Sequence, residues 1–252
     1  MKKIAFWPTL ATVGNLICGF SALAAAGGGN YERAAWLVLV AMLFDAADGR
    51  LARITRTSSQ FGAELDSLAD MVSFGVAPAF LIHNYALFRV PRLPEEYAWA
   101  ASGLYVICAA LRLARFNVET DLSAEAHKSF RGLPSPAAAG LMVTSIIFLM
   151  DEDIGRSLPK IVAGFLPFVM IIAAVLMVTR IRYPHLISQL DTGERPFSFL
   201  VLVVFVVALV MLAPQIGLFL IFVFYTVSGP IGLAIDQVLE RLATSDSDDS
   251  LF

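Results

Sequence analysis

Long apolar runs alternate along this chain with short polar, proline-rich or glycine-rich breaks. A helix needs roughly 20 apolar residues to cross a hydrocarbon core of about 30 Å. Eight runs answer to that length with soft ends, at about 9–27, 33–55, 63–88, 95–115, 135–151, 159–179, 197–213 and 216–237. Gly27-Gly28-Gly29, Pro91, Pro94, Pro134, Pro159 and Pro196 punctuate them, and Pro214-Gln215 leaves room for only a tight turn between the last two. The pattern predicts an all-α, polytopic membrane helix bundle of about eight transmembrane helices. Lys2-Lys3 ahead of an apolar stretch ending in Ala24-Ala25-Ala26 imitates a signal peptide, but Pro8 and Asn15 interrupt that run, so it reads as a retained helix.

Composition narrows the picture. Of 252 residues, 58% are apolar and 15% charged, against about 45–50% and about 25% in an ordinary soluble domain. That excludes a water-soluble globule. The net charge of −3 offers no basic field for nucleic acid. Cys18 and Cys108 lie in apolar runs, and His83, His127 and His185 are scattered singly, so neither a disulfide framework nor a zinc site is expected. Residues 1–237 read as one integral membrane domain and 238–252 as an acidic cytoplasmic tail, whose Thr244-Ser245-Asp246-Ser247-Asp248-Asp249-Ser250 resembles a frayed end. Assigning Lys and Arg to alternate sides of eight spans puts thirteen on the side of the termini and five on the other. This asymmetry predicts a multi-pass protein of the cell (inner) membrane with both termini in the cytoplasm.

The chemistry concentrates between Asp45 and Ser73. Asp45 and Asp48 are spaced i,i+3, and Asp66 and Asp70 i,i+4, so each pair projects from one helical face. The short polar loop around Thr55 to Gln60 would bring the pairs face to face. Each aspartate near the membrane costs about 2.5–3.5 kcal/mol on insertion scales, so four together imply bound dications. Oxygen ligands favour Mg²⁺, Mn²⁺ or Ca²⁺ over zinc, and two such ions clamp the oxygens of a phosphoryl displacement. Gly49, Ala52 and Gly62 keep the same faces small, Arg53 offers a planar donor fork to a pyrophosphate, and Ser59 adds a hydroxyl. Arg50 and Arg56 read as interfacial anchors, and Glu64 as a neighbour facing the site or the headgroups.

The spacing Asp45-x-x-Asp48-Gly49-x-x-Ala52-Arg53, eight residues, Gly62-x-x-x-Asp66-x-x-x-Asp70 resembles the signature of the CDP-alcohol phosphatidyltransferases at every position. Residues 61–70 and 72–78, Arg112-Leu113-Ala114-Arg115-Phe116-Asn117, 132–140 and Ser228-Gly229-Pro230 resemble one branch, the phosphatidylserine synthases. Near the start the family commonly has Pro-Asn where this chain has Pro8-Thr9, while Thr12 and Asn15 keep the rest of that pattern.

The resemblance implies a six-helix core with two added helices and an active site open to the cytoplasm. There an alcohol, L-serine in this branch, attacks CDP-diacylglycerol and displaces CMP. It further implies two divalent cations on Asp45, Asp48, Asp66 and Asp70, with Asp70 also the base for the alcohol. Thr12, Asn15, Gly49, Arg53, Ser59 and Gly62 are implied as contacts of CDP-diacylglycerol, and the assembly as a homodimer. Arg112, Arg115, Asn117 and Arg131 are the candidates for binding serine, because these arginines interrupt or flank apolar helices; the bland reading is that they snorkel to headgroups. The same chemistry with glycerol phosphate, an inositol species or an archaeal-type lipid donor is an alternative. A cation- or proton-coupled transporter is another, although it leaves the small residues at fixed offsets unexplained and the chain shows no internal repeat.

Overall fold

The computed structural model describes residues 6–55, 60–122, 132–152, 161–181, 183 and 206–249. Helices account for nearly all of them: α1 (Phe6–Gly27), α2 (Tyr31–Thr55), α3 (Gln60–Asp70), a π-helical turn (Met71–Val76), α4 (Ala77–Arg89), α5 (Glu95–Leu122), α6 (Ser135–Met150), α7 (Ile161–Gly164), α8 (Leu166–Val178) and α9 (Pro214–Asp249). Residues 206–212 are helical as well. Large apolar side chains such as Ile17, Phe20, Leu43, Phe88, Trp99, Ile107 and Phe168 point outward, which suits lipid and not water. Among the described residues, five stretches are long and apolar enough to cross a membrane: Trp7–Gly27, Gln60–Arg89, Glu95–Val118, Ile161–Val178 and Pro214–Ile235. The protein is an all-α, polytopic helical membrane protein.

The expected punctuation sits where the helices turn. Gly29 has φ +78°, and the Asn30 N–H reaches the Ala25 carbonyl at 2.9 Å, closing α1 with a left-handed glycine cap that sends α2 back antiparallel. On α2 a row of small residues, Ala34, Ala35, Val38 and Ala41, is fully buried and lets its neighbours approach closely. The middle of the bundle is filled by Phe74, Leu81, Ile82, Tyr85, Tyr105, Met142, Ile146, Met170 and Met177.

Several expectations need adjusting. The second span is more polar than a simple membrane helix because it carries the Asp45 and Asp48 carboxylates, and α6 has only 16 residues. The fourth expected span, α5, runs to Leu122, well past the expected end at 115, so Asn117 stands on helix together with Arg112 and Arg115. The last helix continues through the acidic stretch to Asp249, carried by helix-formers such as Leu239, Glu240, Arg241 and Leu242, where a frayed tail was expected.

The third span is the one most changed. It is a single rod from Gln60 to Arg89 whose middle turn, Met71–Val76, widens to a π-helix. Pro78 lacks an N–H for the carbonyl one turn earlier, that of Phe74, and the Tyr105 hydroxyl on α5 donates to that carbonyl at 3.1 Å. The same device recurs on α9: Pro230 frees the Thr226 carbonyl, and the Tyr183 hydroxyl donates to it at 3.3 Å. Gly229 makes room for the Tyr183 ring, with which a Cβ there would collide. Gly140 of α6 is likewise pressed by the Phe222 ring of α9.

Candidate active site at the carboxylate end

Hydrogen bonds gather the start of α1, the end of α2, α3, the end of α5, the start of α6 and the end of α8 at one end of the bundle. Asp45 and Asp48 come from the last turns of α2 and Asp66 from the middle of α3. One carboxylate oxygen from each of the three lies within 4.8 Å of the others. Asp48 is buried and Asp45 and Asp66 are half-buried. Asp66 Oδ1 is shut away from solvent without a hydrogen-bond partner among the described residues. Three carboxylate oxygens this close repel one another unless positive charge joins them. A donor set made only of carboxylate oxygens suits a hard divalent cation, so the cluster fits a metal site.

Asp70 follows one turn further along, outside that group of three. Its Oδ1 accepts a hydrogen bond from Asn15 Nδ2 at 3.0 Å. The Thr12 hydroxyl lies 3.1 Å from Asp48 Oδ2 and 3.0 Å from the Pro8 carbonyl, between which its single proton is shared. Thr12 is 3% exposed and Asn15 fully buried. Thr12 and Asn15 of α1 therefore face the carboxylates, a relation invisible in the sequence because it links residues 36 and 55 positions apart.

Gly49 follows Asp48 on the exposed side of α2, and a Cβ built there meets nothing within 4 Å. No packing demands glycine at this point, although in mid-helix it costs about 0.8–1 kcal/mol relative to alanine. Gly62 lies in the first turns of α3. Arg53 lies in the last turn of α2, but its side chain is outside the described residues, as are Ser59 and Arg131 altogether.

The other candidates gather opposite α3. Asn117 Nδ2 donates to Ser67 Oγ at 3.0 Å, and Ser67 in turn lies 3.1 Å from the Ala63 carbonyl. Arg112 Nη1 donates to Ser135 Oγ at 2.8 Å, at the start of α6, while its buried Nε has no partner among the described residues. Asp70 and Tyr225 are the groups whose charge or dipole bears on that guanidinium from other helices, with Arg115 and Tyr105 on its own helix. Arg115 Nη1 donates to the Val178 carbonyl at 3.3 Å, where α8 ends. Beside it, Gly132 at φ +88° donates its N–H to the Ile181 carbonyl at 2.8 Å, and a Cβ there would lie 2.5 Å from the Met177 carbonyl oxygen. That clash explains a glycine just ahead of α6.

The profile of the CDP-alcohol phosphatidyltransferases matches residues 5–180, which include every carboxylate of the site. The chain belongs to the CDP-alcohol phosphatidyltransferase family. It is 36% identical over 228 residues to a CDP-diacylglycerol–serine O-phosphatidyltransferase of Helicobacter pylori strain J99, covering 88% of this chain and 91% of the relative. A protein of the same name from Bacillus subtilis strain 168 is 32% identical over 182 residues, 71% of this chain and 89% of its own. An archaetidylserine synthase of Methanothermobacter thermautotrophicus is 35% identical over 190 residues, 73% of each. Gly49, directly after Asp48 on α2, has open space above it and lies within the matched residues.

Proposed function

We propose that this protein transfers the phosphatidyl group of CDP-diacylglycerol to the hydroxyl of L-serine, forming phosphatidylserine and CMP. The observation that carries the proposal is the convergence of Asp45, Asp48 and Asp66, with Asp70 one turn on, in a chain similar over nearly its whole length to relatives whose names specify serine as acceptor. In the displacement the serine oxygen bonds to the β-phosphorus as the bond to the CMP oxygen breaks. The serine hydroxyl is a weak nucleophile at neutral pH, and Asp70 takes its proton. Asp45, Asp48 and Asp66 would hold two divalent cations, Mg²⁺ or Mn²⁺, which supply positive charge for the pyrophosphate and the departing CMP.

Around that centre the chain supplies shape and orientation. Gly49 lets the pyrophosphate approach the α2 backbone, with Arg53, Ser59 and Gly62 as further contacts of the donor. Arg112 holds the serine carboxylate, its Nη1 being fixed by Ser135 while Nε remains to donate. The positive-inside count supports a cytoplasmic site, where serine and CMP exchange with water while the acyl chains stay in the bilayer. The family match ends at residue 180, just after the sixth expected span, which supports a six-helix core with two added helices. The proposed assembly is a homodimer, as family membership implies.

Likeness to an archaetidylserine synthase favours one second reading, in which serine remains the acceptor and the lipid half of the donor is archaeal in type. Purified protein, Mn²⁺ and L-[¹⁴C]serine with either CDP-diacylglycerol or a CDP-linked diether lipid would separate the two. The proposal expects label in the organic phase with the diacyl donor. Label only with the diether donor supports the second reading, and label with neither, while glycerol phosphate or inositol enters lipid, removes serine as acceptor.

A further inference from the structure

We infer that Asn15 is a positioning residue for Asp70, holding one carboxylate oxygen so that the other is presented to the acceptor hydroxyl, and that it does not contact the nucleotide. The inference rests on the reading of Asp70 as the base. Asn15 is fully buried, and its Nδ2 donates to Asp70 Oδ1 at 3.0 Å. Its own Oδ1 is buried with no partner among the described residues, so the side chain is held through the amide donor alone. An unpaired buried acceptor is unfavourable, and a leucine of similar size would avoid it. Among the described residues, what asparagine supplies here and leucine would not is the donor on Asp70.

The backbone around Asn15 is fixed just as firmly. Its carbonyl accepts from the Ser73 hydroxyl at 3.0 Å, and Ser73 belongs to the π-helical turn that starts directly after Asp70. One turn along α1, Gly19 brings the two backbones together: a Cβ there would collide with Ser73 Oγ and lie 2.8 Å from its Cα. Tyr105 holds the far side of the same turn through the Phe74 carbonyl. The π turn is thus clamped between α1 and α5, and Asn15 transmits that clamp to Asp70. A π turn next to a reactive group is a recurring feature of functional sites.

The test is a set of steady-state and binding measurements on full-length Asn15→Leu and Asn15→Asp, each also combined with Asp70→Asn. For both single variants the kcat of CMP release should fall about 10- to 100-fold, as for groups that orient a reacting carboxylate. The KM for CDP-diacylglycerol and the Mn²⁺ affinity by electron paramagnetic resonance should stay within about threefold, since Asp45, Asp48 and Asp66 are untouched. In the Asp70→Asn background the same substitutions should cost less than about threefold more, because a residue acting through Asp70 has nothing left to position. A rise in the KM for CDP-diacylglycerol with kcat unchanged would make Asn15 a nucleotide contact and overturn the inference, as would a loss fully additive to that of Asp70→Asn. If the wild-type enzyme uses another alcohol, the serine reading fails and the same comparison is made with that alcohol. If it releases no CMP with any acceptor, both fail.

Discussion

The carboxylate corner and the arginine corner sit side by side at one end of the bundle, yet their polar groups are used differently. Around Asp45, Asp48 and Asp66, like charges converge and Asp66 Oδ1 is left over, so the corner is incomplete without an added cation. Around α5 the side chains are already engaged: Asn117 with Ser67, Arg115 with the Val178 carbonyl, and Arg112 with Ser135. Arg112 alone of these three is shown with a buried donor, Nε, that no described residue takes up. One corner is built to gain a ligand, whereas the other ties helices together and keeps one donor in reserve.

Substitutions can break this contrast, beginning with the largest effect. Asp70→Asn should lower kcat by about 10²- to 10⁴-fold, the range for removing a general base, while Mn²⁺ binding persists. Asp66→Asn should instead abolish Mn²⁺ binding at micromolar metal, read by electron paramagnetic resonance. Equal loss of metal in both variants would place Asp70 among the ligands. In the second corner, Arg112→Ala should raise the KM for serine about 10- to 100-fold, the worth of a hydrogen bond to a charged group, with the KM for CDP-diacylglycerol unchanged. Arg115→Ala should change the serine KM less than about threefold, because its donor on the Val178 carbonyl ties α5 to α8. The reverse ranking would exchange the roles of the two arginines.

Gly49→Ala sharpens the contrast from the opposite direction. Nothing packs against the added methyl group, so the protein should unfold at a higher temperature, by up to about 0.8–1 kcal/mol of helix propensity. The KM for CDP-diacylglycerol should nevertheless rise. Stability and activity moving apart at one residue would show that the glycine serves the substrate; a fall in both would assign it to packing.

Much of this was legible in the chain. Apolar runs bounded by glycine and proline located five of the eight expected spans because backbone satisfaction in lipid leaves a helix little alternative, and the spacing of Asp45, Asp48 and Asp66 marked the carboxylates that converge. The π turn was not legible: one extra residue in an apolar stretch leaves the hydrophobic pattern unchanged, and Pro78 alone does not announce that Tyr105 will cover the freed carbonyl. Thr12 and Asn15 stood out as polar residues in the first span, but their carboxylate partners depend on how α1 packs across α2 and α3. Likewise, three polar residues on α5 looked equivalent until Ser67, Ser135 and Val178 were seen opposite them.

The central claim is that the carboxylate corner displaces CMP from CDP-diacylglycerol by the serine hydroxyl with the help of a divalent cation. It is tested most directly by CMP release from CDP-diacylglycerol by the purified protein, with Mn²⁺ or EDTA and with or without L-serine. Release that requires both the cation and serine, in step with formation of phosphatidylserine, is the predicted result. Release at an equal rate without serine, or undiminished in EDTA, would contradict it.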